Sequence, residues 1–331
     1  MEKEIFPLTH RRLRSSSLLR ELVNPLRISH KSFIQPLFVE QGLTQPRGIT
    51  GMKDISVDTV HSIFENIDRC LKQGVNKFLL FPVPSQKSTH SFDFSFASDL
   101  VYKLKQKYYH EIWLSTDVCL CSYTESGHCG ILNVVGDAIL NNESVFELSR
   151  YALQLAMAGA DCIAPSDMMD GRIGAIRNEL NRHSLEATPI MSYSAKFSSQ
   201  WYGPFRDACH SAPNSTVLKD RKSYQLSAVG AGDAISCAMR DEKEGADILM
   251  VKPASNNTDI IQSINQITHL PLAVYHVSGE YAAIELMAGQ GLVDRAKAHV
   301  ELWSALHRSG ADIIISYAST QAKTWIENFE Y

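Results

Sequence analysis

Short apolar runs alternate along the chain with longer stretches in which apolar residues recur at helical spacing. The runs are rich in Ile, Leu, Val, Phe and Tyr, a composition typical of parallel strands buried on both faces. The predicted strands are 33–39, 77–83, 112–119, 162–166, 189–196, 248–254, 271–277 and 312–319. Between the first two strands, one face of a predicted helix is formed by Val57, Val60, Ile63, Phe64, Ile67 and Leu71. Gly74 then supplies the signal that ends this helix.

A short internal repeat indicates how helices and strands are joined. The tripeptide Gly-Ala-Asp occurs at 159–161, 245–247 and 310–312, each time between a helical pattern and a strand. Glycine can end a helix in the left-handed conformation before the chain turns into the sheet. Repetition of this joint implies a repeated β/α unit. The alternation predicts the α/β class and a closed (β/α)8 TIM barrel, and a doubly wound open sheet is the alternative.

Two segments fall outside the alternation. Residues 1–32 carry arginines and scattered leucines, so we predict an extended N-terminal arm that packs on a partner subunit, with a frayed tail as the alternative. Residues 197–230 form a connection longer than the roughly 12–15 residues normal for loops. Its aromatic residues and arginines are typical of an active-site lid. The predicted organisation is an arm at 1–32 and a catalytic barrel at 33–331, with the lid at about 197–230.

Bulk composition narrows the function classes. The chain has 331 residues, a length that α/β barrels commonly reach as one unit. Its net charge of −4 argues against nucleic acid and anionic membranes as partners. No apolar run approaches the roughly 18 residues of a membrane-spanning helix, and the basic N-terminus does not resemble a signal peptide. We therefore expect a cytoplasmic protein, in which seven cysteines favour metal or thiol chemistry over disulfides.

Two lysines stand at the ends of neighbouring predicted strands, Lys196 and Lys252. Burial of an ammonium group is costly, so desolvation lowers the pKa of such a lysine and frees its amine to attack carbonyls. For Lys252 alone, a side chain that reaches solvent is an equally good interpretation. Adjacent barrel strands lie roughly 5 Å apart, so the two amines would depress each other's pKa. The pair therefore favours carbonyl chemistry.

Three cysteines lie at the end of another predicted strand: Cys119, Cys121 and Cys129, with the spacing C-x-C-x7-C. Thiolates are good zinc ligands, and three protein ligands leave a fourth position for water or substrate. A set of partly buried free thiols is the alternative. His128 adjoins the group and is either a further ligand or a hydrogen-bonding residue of the loop.

Polar residues also occur at strand ends, namely Asp117, Ser166, Asp167, Ser278 and Tyr317. Each has an ordinary structural interpretation, because a Ser-Asp pair can cap a helix and Tyr317 can pack in the core. Together they predict a polar cluster at the C-terminal mouth of the barrel.

These motifs resemble those of the porphobilinogen synthase family, also called 5-aminolaevulinate dehydratase, from about Arg11 to the C-terminus. The segments that carry the resemblance are 117–121, 127–130, 164–172, 192–196, 202–207, 220–222, 250–253 and 277–281. The resemblance implies condensation of two 5-aminolaevulinate molecules to porphobilinogen with loss of two waters, a step of tetrapyrrole and haem biosynthesis. Lys252 would hold the first substrate as a Schiff base, and Lys196 would engage the second. Zinc on the three cysteines would polarise the second substrate's carbonyl or hold a hydroxide that takes a proton.

The same resemblance implies which residues contact the substrates. They are Arg206, Arg221 and Gln225 at the second carboxylate, Ser278 and Tyr317 at the first carboxylate, Asp117 and Ser166 at an amino group, and Phe81, Tyr202, Phe205 and Tyr275 as the wall of the pocket.

The family's pattern also has implications for metals and assembly. Cysteines at the three ligand positions indicate the zinc-dependent type, with one catalytic Zn²⁺ per subunit, because members with aspartates there do not use it. Ser223 replaces the cysteine of a second zinc site found in some members. Arg240 stands where many bacterial members bind an allosteric Mg²⁺ through a glutamate, so no allosteric magnesium is expected. The family forms homo-octamers in which N-terminal arms embrace a neighbour, and a hexameric form also exists.

Two other functions compete with this interpretation. A class I aldolase is also a barrel with a Schiff-base lysine, but it needs one such lysine and no cysteine zinc site. A non-catalytic zinc-binding barrel would have no need of Lys196, Lys252 or the lid arginines.

Overall fold

The computed structural model describes residues 10–330, which form a barrel of parallel strands surrounded by helices. In chain order, the strands are β1 (Phe33–Glu40), β2 (Arg47–Ile49), β3 (Met52–Asp58), β4 (Lys77–Val83), β5 (Trp113–Val118), β6 (Cys162–Pro165), β7 (Met191–Lys196), β8 (Ile248–Lys252), β9 (Leu272–His276) and β10 (Ile313–Ser316). The α-helices are α1 (Ser17–Val23), α2 (Ser62–Lys72), α3 (Ser95–Tyr108), α4 (Asn141–Met157), α5 (Arg172–Arg182), α6 (Gly203–Ala208), α7 (Gly232–Lys243), α8 (Thr258–Asn265), α9 (Ser278–Gly289), α10 (Arg295–Arg308) and α11 (Ser319–Glu327). Short 3-10 helices lie at His10–Arg14, His30–Ser32 and Gln200–Tyr202.

Eight strands form the barrel in the order β6, β5, β4, β1, β10, β9, β8 and β7, and the neighbouring pairs are parallel. The ring closes between β6 and β7, where Ile163 forms a parallel bridge with Ile190. The N–H of Ile163 also donates to the carbonyl oxygen of Pro189 at 3.0 Å. The predicted (β/α)8 barrel is confirmed, and the open doubly wound sheet is wrong. Each predicted strand is present, because continuous apolar runs are what a strand buried on both faces requires.

The Gly-Ala-Asp repeat fixes the joints between helices and strands. Its glycines have φ of +100° at Gly159, +103° at Gly245 and +113° at Gly310. The aspartate of each copy accepts a hydrogen bond from a backbone N–H at the start of the preceding barrel strand. The pairs are Asp161 with Leu114 at 2.8 Å, Asp247 with Ile190 at 2.8 Å and Asp312 with Leu272 at 2.9 Å. The repeat therefore ends each helix and also ties the next strand to its neighbour.

The segment between β1 and α2 differs from the prediction. β2 and β3 form an antiparallel hairpin, and β3 also pairs in parallel with the end of β1. Val57 is a strand residue, and Val60 precedes the helix, which begins at Ser62. The prediction failed because β3 buries Val57 through pairing with β1. Apolar residues spaced across a strand, a turn and a helix imitated one continuous helical face.

The predicted arm is described only from residue 10 onward, and residues 1–9 lie outside the described part. Its helix α1 contacts mainly the adjoining 3-10 helix and buries no residue. Leu18 and Leu22 are 76% and 77% exposed. Arm contacts with a partner subunit stay a prediction.

The predicted lid, residues 197–230, contains α6 and lies over the C-terminal end of the barrel. Three of its own residues, Tyr202, Arg221 and Gln225, are buried. None of the helices in the described part of the chain combines the length and apolarity that a membrane crossing requires.

Candidate active site

The two predicted lysines lie side by side at the C-terminal end of the barrel. Lys196 ends β7 and Lys252 ends β8, and they are partners in the parallel register of these strands. They are 5% and 3% exposed, so both amines are withdrawn from water. Two buried amines in neighbouring positions disfavour the doubly charged state and promote a neutral amine.

An irregularity in β7 directs Lys196 into the barrel. Between Ser192 and Ala195, β7 advances three residues while its partner β8 advances two. Ser192 points outward, because its hydroxyl donates to the carboxylate of Asp241 on α7 at 2.5 Å. Regular alternation would send Lys196, four residues later, to the same outer side. The extra residue reverses the alternation, which is how β-bulges re-aim side chains.

Aromatic rings surround the amine of Lys252. The distances from its Nζ to the ring centroids are 4.0 Å for Tyr275, 4.7 Å for Phe205, 5.1 Å for Tyr193 and 5.4 Å for Tyr202. Burial, followed by the charge of Lys196, lowers the pKa of Lys252 to about 7. At neutral pH about half of the molecules therefore carry a free, nucleophilic amine at this position.

The surroundings of Lys196 are more polar. Its Nζ donates a hydrogen bond to the main-chain carbonyl oxygen of Ser166, directly after β6. Asp117 is buried nearby at the end of β5, and burial raises the pKa of its carboxyl group to about 6 against the lowering effect of the two lysines. Within the described residues, Oδ1 of Asp117 has no hydrogen-bond partner. This oxygen is therefore available to a donor on a bound ligand.

The three predicted metal ligands form one buried cluster. The Sγ atoms of Cys119, Cys121 and Cys129 all lie within 4.8 Å of one another. Burial raises the pKa of the Cys119 thiol. Burial also opposes ionisation of Cys129, but the two neighbouring thiols and the charge of Arg221 hold the pKa of Cys129 well below its usual range. The cluster thus stabilises a thiolate, and it can hold a metal ion.

Arg221 joins the lid to the loop that contains Cys121 and Cys129. Its guanidinium donates to the carbonyl oxygen of Gly127 at 2.9 Å and to that of Ser211 at 2.6 Å. Burial lowers the pKa of Arg221, but the nearby sulfur atoms, that of Cys129 first, raise it overall. The arginine therefore keeps its positive charge beside the cluster.

His128 also fastens the lid. Its Nδ1 lies 3.0 Å from the hydroxyl of Tyr224, and its Nε2 lies 2.8 Å from the carbonyl oxygen of Leu218. Both ring nitrogens are therefore engaged by lid residues. Of the two interpretations of His128, the hydrogen-bonding one is confirmed.

Several lid side chains keep buried polar atoms without a hydrogen-bond partner in the described part of the chain. These atoms are Nε of Arg206, Nε of Arg221 and both amide heteroatoms of Gln225. A buried polar atom without a partner is costly, so its presence in a cavity marks a place for a polar ligand.

Ser278 and Tyr317 lie on the aromatic side of the mouth. The hydroxyl of Ser278 accepts from the N–H of Phe205 at 3.1 Å and so holds α6. The hydroxyls of Tyr317 and Tyr275 lie 3.1 Å apart. A hydroxyl that accepts a hydrogen bond keeps its own proton, so Ser278 and one member of the tyrosine pair can still donate to a carboxylate.

The remaining wall residues pack around the same space. The ring of Phe81 lies edge-on to that of Phe205, with 5.0 Å between centroids. The Tyr202 hydroxyl donates to the main-chain oxygens of Phe197 and Lys252, at 2.8 and 3.2 Å. The lid, both lysines and the cysteine cluster therefore meet at one end of the barrel.

Comparison with known proteins gives this arrangement a family. The family model described as delta-aminolevulinic acid dehydratase matches residues 8–325. The protein of that name from Bacillus subtilis is 37% identical over 321 residues, which cover 96% of this chain and 97% of the relative. The chain belongs to the delta-aminolevulinic acid dehydratase family. A chloroplastic dehydratase from Chlamydomonas reinhardtii is 36% identical over 331 residues, covering 97% of this chain and 85% of the relative.

A solved dehydratase structure extends the likeness to the whole fold. The crystal structure of the delta-aminolevulinic acid dehydratase from Toxoplasma gondii ME49, in complex with the reaction product porphobilinogen, has a TM-score of 0.92 with this chain. The two are 32% identical, and the match covers 98% of this chain and 95% of that chain. The predicted family and enzyme class, a dehydratase, are confirmed.

Three buried residues near the dehydratase site were not predicted. The ring of Tyr193 lies close to both lysine amines. Arg172 on α5 pairs with Asp241 at 3.1 Å and donates to the main-chain oxygen of Tyr193 at 3.2 Å, so it braces β7 from outside. Glu280 accepts from the backbone N–H groups that follow β8 and β9, at 2.7 and 2.8 Å. A tyrosine inside an apolar strand carries the same signal as a core residue, and Glu280 carries that of a helix cap.

Arg240, the residue on which the expectation of no allosteric magnesium rests, is held by carboxylates. Its guanidinium contacts Asp170 at 2.5 Å and Asp241 at 3.0 Å. Asp241 also pairs with Arg172, so a chain of ion pairs runs from the outside of α7 to the back of β7.

Proposed function

We propose that this enzyme condenses two molecules of 5-aminolaevulinate to porphobilinogen with loss of two waters, a step of tetrapyrrole biosynthesis. The observation that carries the proposal is the pair of buried lysines in register beside three converging thiols. A ketone substrate that forms an imine needs a neutral amine, and Lys252 provides one at neutral pH. A class I aldolase would need one such lysine and has no use for the thiol cluster.

The two lysines would serve different substrates. Lys252 would attack the ketone of the first substrate, and loss of water would leave an imine on Nζ. Its aromatic wall suits the carbon skeleton of that substrate, and Ser278 with Tyr317 would take its carboxylate. Lys196 would engage the second substrate on the side that faces Asp117 and the cysteines.

The lid would bind the second carboxylate. Arg206 and Arg221 offer guanidinium groups, whose forked donors match a carboxylate. Both arginines and Gln225 keep buried polar atoms without a partner among residues 10–330. Asp117 and Ser166 would receive an amino group, since an unpartnered carboxylate oxygen can accept from an ammonium.

The donor set fits zinc. Three thiols within 4.8 Å of one another match a site that leaves one position open, and soft sulfur ligands favour zinc over magnesium. Cys119, Cys121 and Cys129 would hold one Zn²⁺ per subunit. When bound there, the ion would supply Lewis acidity to a substrate oxygen. The contribution of the chain is to hold the thiolates and keep Arg221 charged beside them.

Trapping of the imine tests the function. The purified enzyme is incubated with 5-aminolaevulinate and borohydride, and its peptides are mapped by mass. We expect a reduced adduct on Lys252, and porphobilinogen in the sample without borohydride. Incubation without substrate is the control for unspecific labelling. Absence of both adduct and porphobilinogen from the metal-supplied enzyme would overturn the proposal.

Assembly, location and magnesium stay proposals. We infer a homo-octamer in which residues 1–32 contact a neighbour, because α1 exposes leucines that the barrel does not cover. Removal of residues 1–25 should lower the oligomer mass on sizing, and an unchanged octamer would contradict this role. The ion pairs of Arg240 support the expectation of no allosteric magnesium. A cytoplasmic location stays a prediction, since the relatives include chloroplastic forms.

A further inference from the structure

The ring of Tyr193 lies close to both lysine amines. Its ring centroid lies 5.1 Å from Nζ of Lys252 and 5.5 Å from Nζ of Lys196. The residue is fully buried, and the irregularity of β7 that turns Lys196 inward leaves both side chains inside the barrel. A molecule bound covalently to either amine would therefore lie against this tyrosine.

Within the described residues, the hydroxyl of Tyr193 makes no hydrogen bond of regular geometry, and the acceptor within its reach is the carboxylate of Asp117. The other buried tyrosines at the mouth differ, because the hydroxyls of Tyr275 and Tyr317 bond to each other and that of Tyr202 donates to main-chain oxygens. An O–H donor is rarely left alone in a protein interior. Asp117 has a carboxylate oxygen in the same condition, and its charge acts on Tyr193.

The protonation state of this tyrosine limits its role. Burial, and then the negative charge of Asp117, raise the pKa of Tyr193 well above its ordinary value. The hydroxyl therefore keeps its proton throughout and acts as a hydrogen-bond donor. A fixed donor is most effective where negative charge develops on an oxygen during the reaction.

We propose that Tyr193 is a catalytic residue whose hydroxyl donates a hydrogen bond to the oxygen of the carbonyl that Lys252 attacks. In that step the lone pair of Nζ forms the C–N bond, and the electrons of the C=O π bond move to the oxygen. A proton then passes from nitrogen to oxygen to give the neutral carbinolamine, and Tyr193 ends the step with its own proton. This role rests on the proposed function, since it requires a ketone substrate at Lys252.

The assignment to Lys252 follows from the two amines' surroundings. Lys196 donates to the carbonyl oxygen of Ser166, which already provides it with a partner. Within the described part of the chain, the amine of Lys252 has rings around it and makes no hydrogen bond that would compete with attack on a carbonyl. Among the described residues, Tyr193 has its ring within 5.5 Å of both amines and carries a hydroxyl that can donate.

The test compares Tyr193→Phe with Tyr108→Phe. The hydroxyl of Tyr108 is bonded to Asp68 at 2.7 Å and to the main-chain oxygen of Phe64 at 2.8 Å, on α2 outside the barrel. Y193F removes a donor without a partner, so the melting temperature should stay unchanged or rise. Y108F removes two hydrogen bonds, so its melting temperature should fall while its turnover stays unchanged.

The readout is the rate of imine formation on Lys252, measured by borohydride quenching at successive times after mixing with 5-aminolaevulinate. We expect Y193F to form the imine on the order of 10²-fold more slowly, the usual effect of losing one such donor, and to reach the same final extent of trapping. A Y193F rate equal to that of the unmodified enzyme would overturn the role of the hydroxyl. A rate loss accompanied by a fall in melting temperature like that of Y108F would also overturn it, in favour of a structural role. If the unmodified enzyme gives no adduct, the proposed function itself fails.

Discussion

The two sides of the barrel mouth treat the same chemical group, a lysine amine, in different ways. On one side, Lys252 is enclosed by aromatic rings, and its pKa falls to about 7. On the other side, Lys196 donates to a main-chain oxygen beside Asp117 and the thiol cluster. Rings stabilise a cation weakly and do not bond a neutral amine, so the first environment yields a nucleophile. The environment of Lys196 fixes the position of its amine through the main-chain oxygen. It also places the amine near Asp117 and the thiols, which can bind a charged or metal-bound substrate group.

The largest effect is expected from loss of the amine on the aromatic side. Lys252→Met should abolish imine trapping and lower turnover by at least about 10³-fold, because the covalent step has no replacement nucleophile. The same change should stabilise the fold by on the order of a few kcal/mol, since folding no longer desolvates an amine. Trapping by mass mapping and the melting temperature measure the two effects.

The matching change on the polar side separates the lysines. Lys196→Met should leave the Lys252 adduct detectable while it lowers porphobilinogen formation. Loss of the Lys252 adduct in this variant would contradict separate roles for the two amines.

The next effect belongs to the thiol cluster. Cys129→Ser removes the sulfur that the site ionises most readily, so we expect zinc affinity to fall by about 10²-fold or more. Turnover should fall with it, and imine trapping on Lys252 should persist. Zinc content after dialysis measures affinity independently of activity.

Chelation is the corresponding test on the unmodified enzyme. A strong chelator should stop turnover and zinc should restore it, with the Lys252 adduct unaffected throughout. For the Cys129→Ser variant, the control is Cys70→Ser, because Cys70 is a buried cysteine on α2 that lies outside the cluster. Cys70→Ser should keep its zinc content. Turnover that survives removal of the metal would exclude zinc from the reaction.

A smaller effect concerns pH. With a pKa of about 7, the neutral fraction of Lys252 falls from about nine-tenths at pH 8 to about one-tenth at pH 6. The rate of imine formation should therefore drop by roughly tenfold over this interval. The rate measured by quenching at each pH gives the midpoint, and a midpoint near the ordinary lysine value would contradict the influence of the aromatic environment.

The same pKa predicts a stability change of known sign. The folded-state pKa of Lys252 is lower than the unfolded value, so between about pH 7 and 10.5 the unfolded chain binds the extra proton. The contribution of Lys252 to stability therefore rises with pH in this window, and its full cost is present below about pH 7. Lys252→Met should remove this part of the pH dependence.

The contrast between the two sides also marks what the sequence could predict. Lysines at strand ends and cysteines in a tight spacing carry a chemical signal of their own, and the repeated Gly-Ala-Asp joints revealed the barrel. Tyr193 carried no such signal, because its importance depends on an irregularity in β7 that only the pairing with β8 reveals. The β2–β3 hairpin was missed because most of its residues are polar or exposed, and the burial of Val57 depends on β1. Features that depend on the chemistry of one residue type, such as the lysines and cysteines, could be predicted. Features that depend on pairing between distant segments, such as the hairpin and the role of Tyr193, could not.

The smallest expected effect lies at the outer edge of the aromatic side, where partly exposed charges hold α6. Arg47 contacts Glu40 at 3.1 Å and Asp207 of α6 at 3.9 Å, and α6 carries Phe205 to Lys252. Exposed ion pairs contribute roughly 0–1 kcal/mol, so Arg47→Ala should raise KM by about two- to threefold and leave kcat nearly unchanged. Zinc content should not change, because the thiol side is held by the buried Arg221 instead.

A matched control for Arg47 is Arg182→Ala, which removes an exposed pair with Glu179 on α5, away from the lid. It should leave KM unchanged. If both variants raise KM equally, the effect comes from net charge and not from the hold on α6. If Arg47→Ala lowers zinc content as well, the two sides of the mouth are coupled through the lid. The aromatic side and the thiol side would then have to be treated as one structural unit.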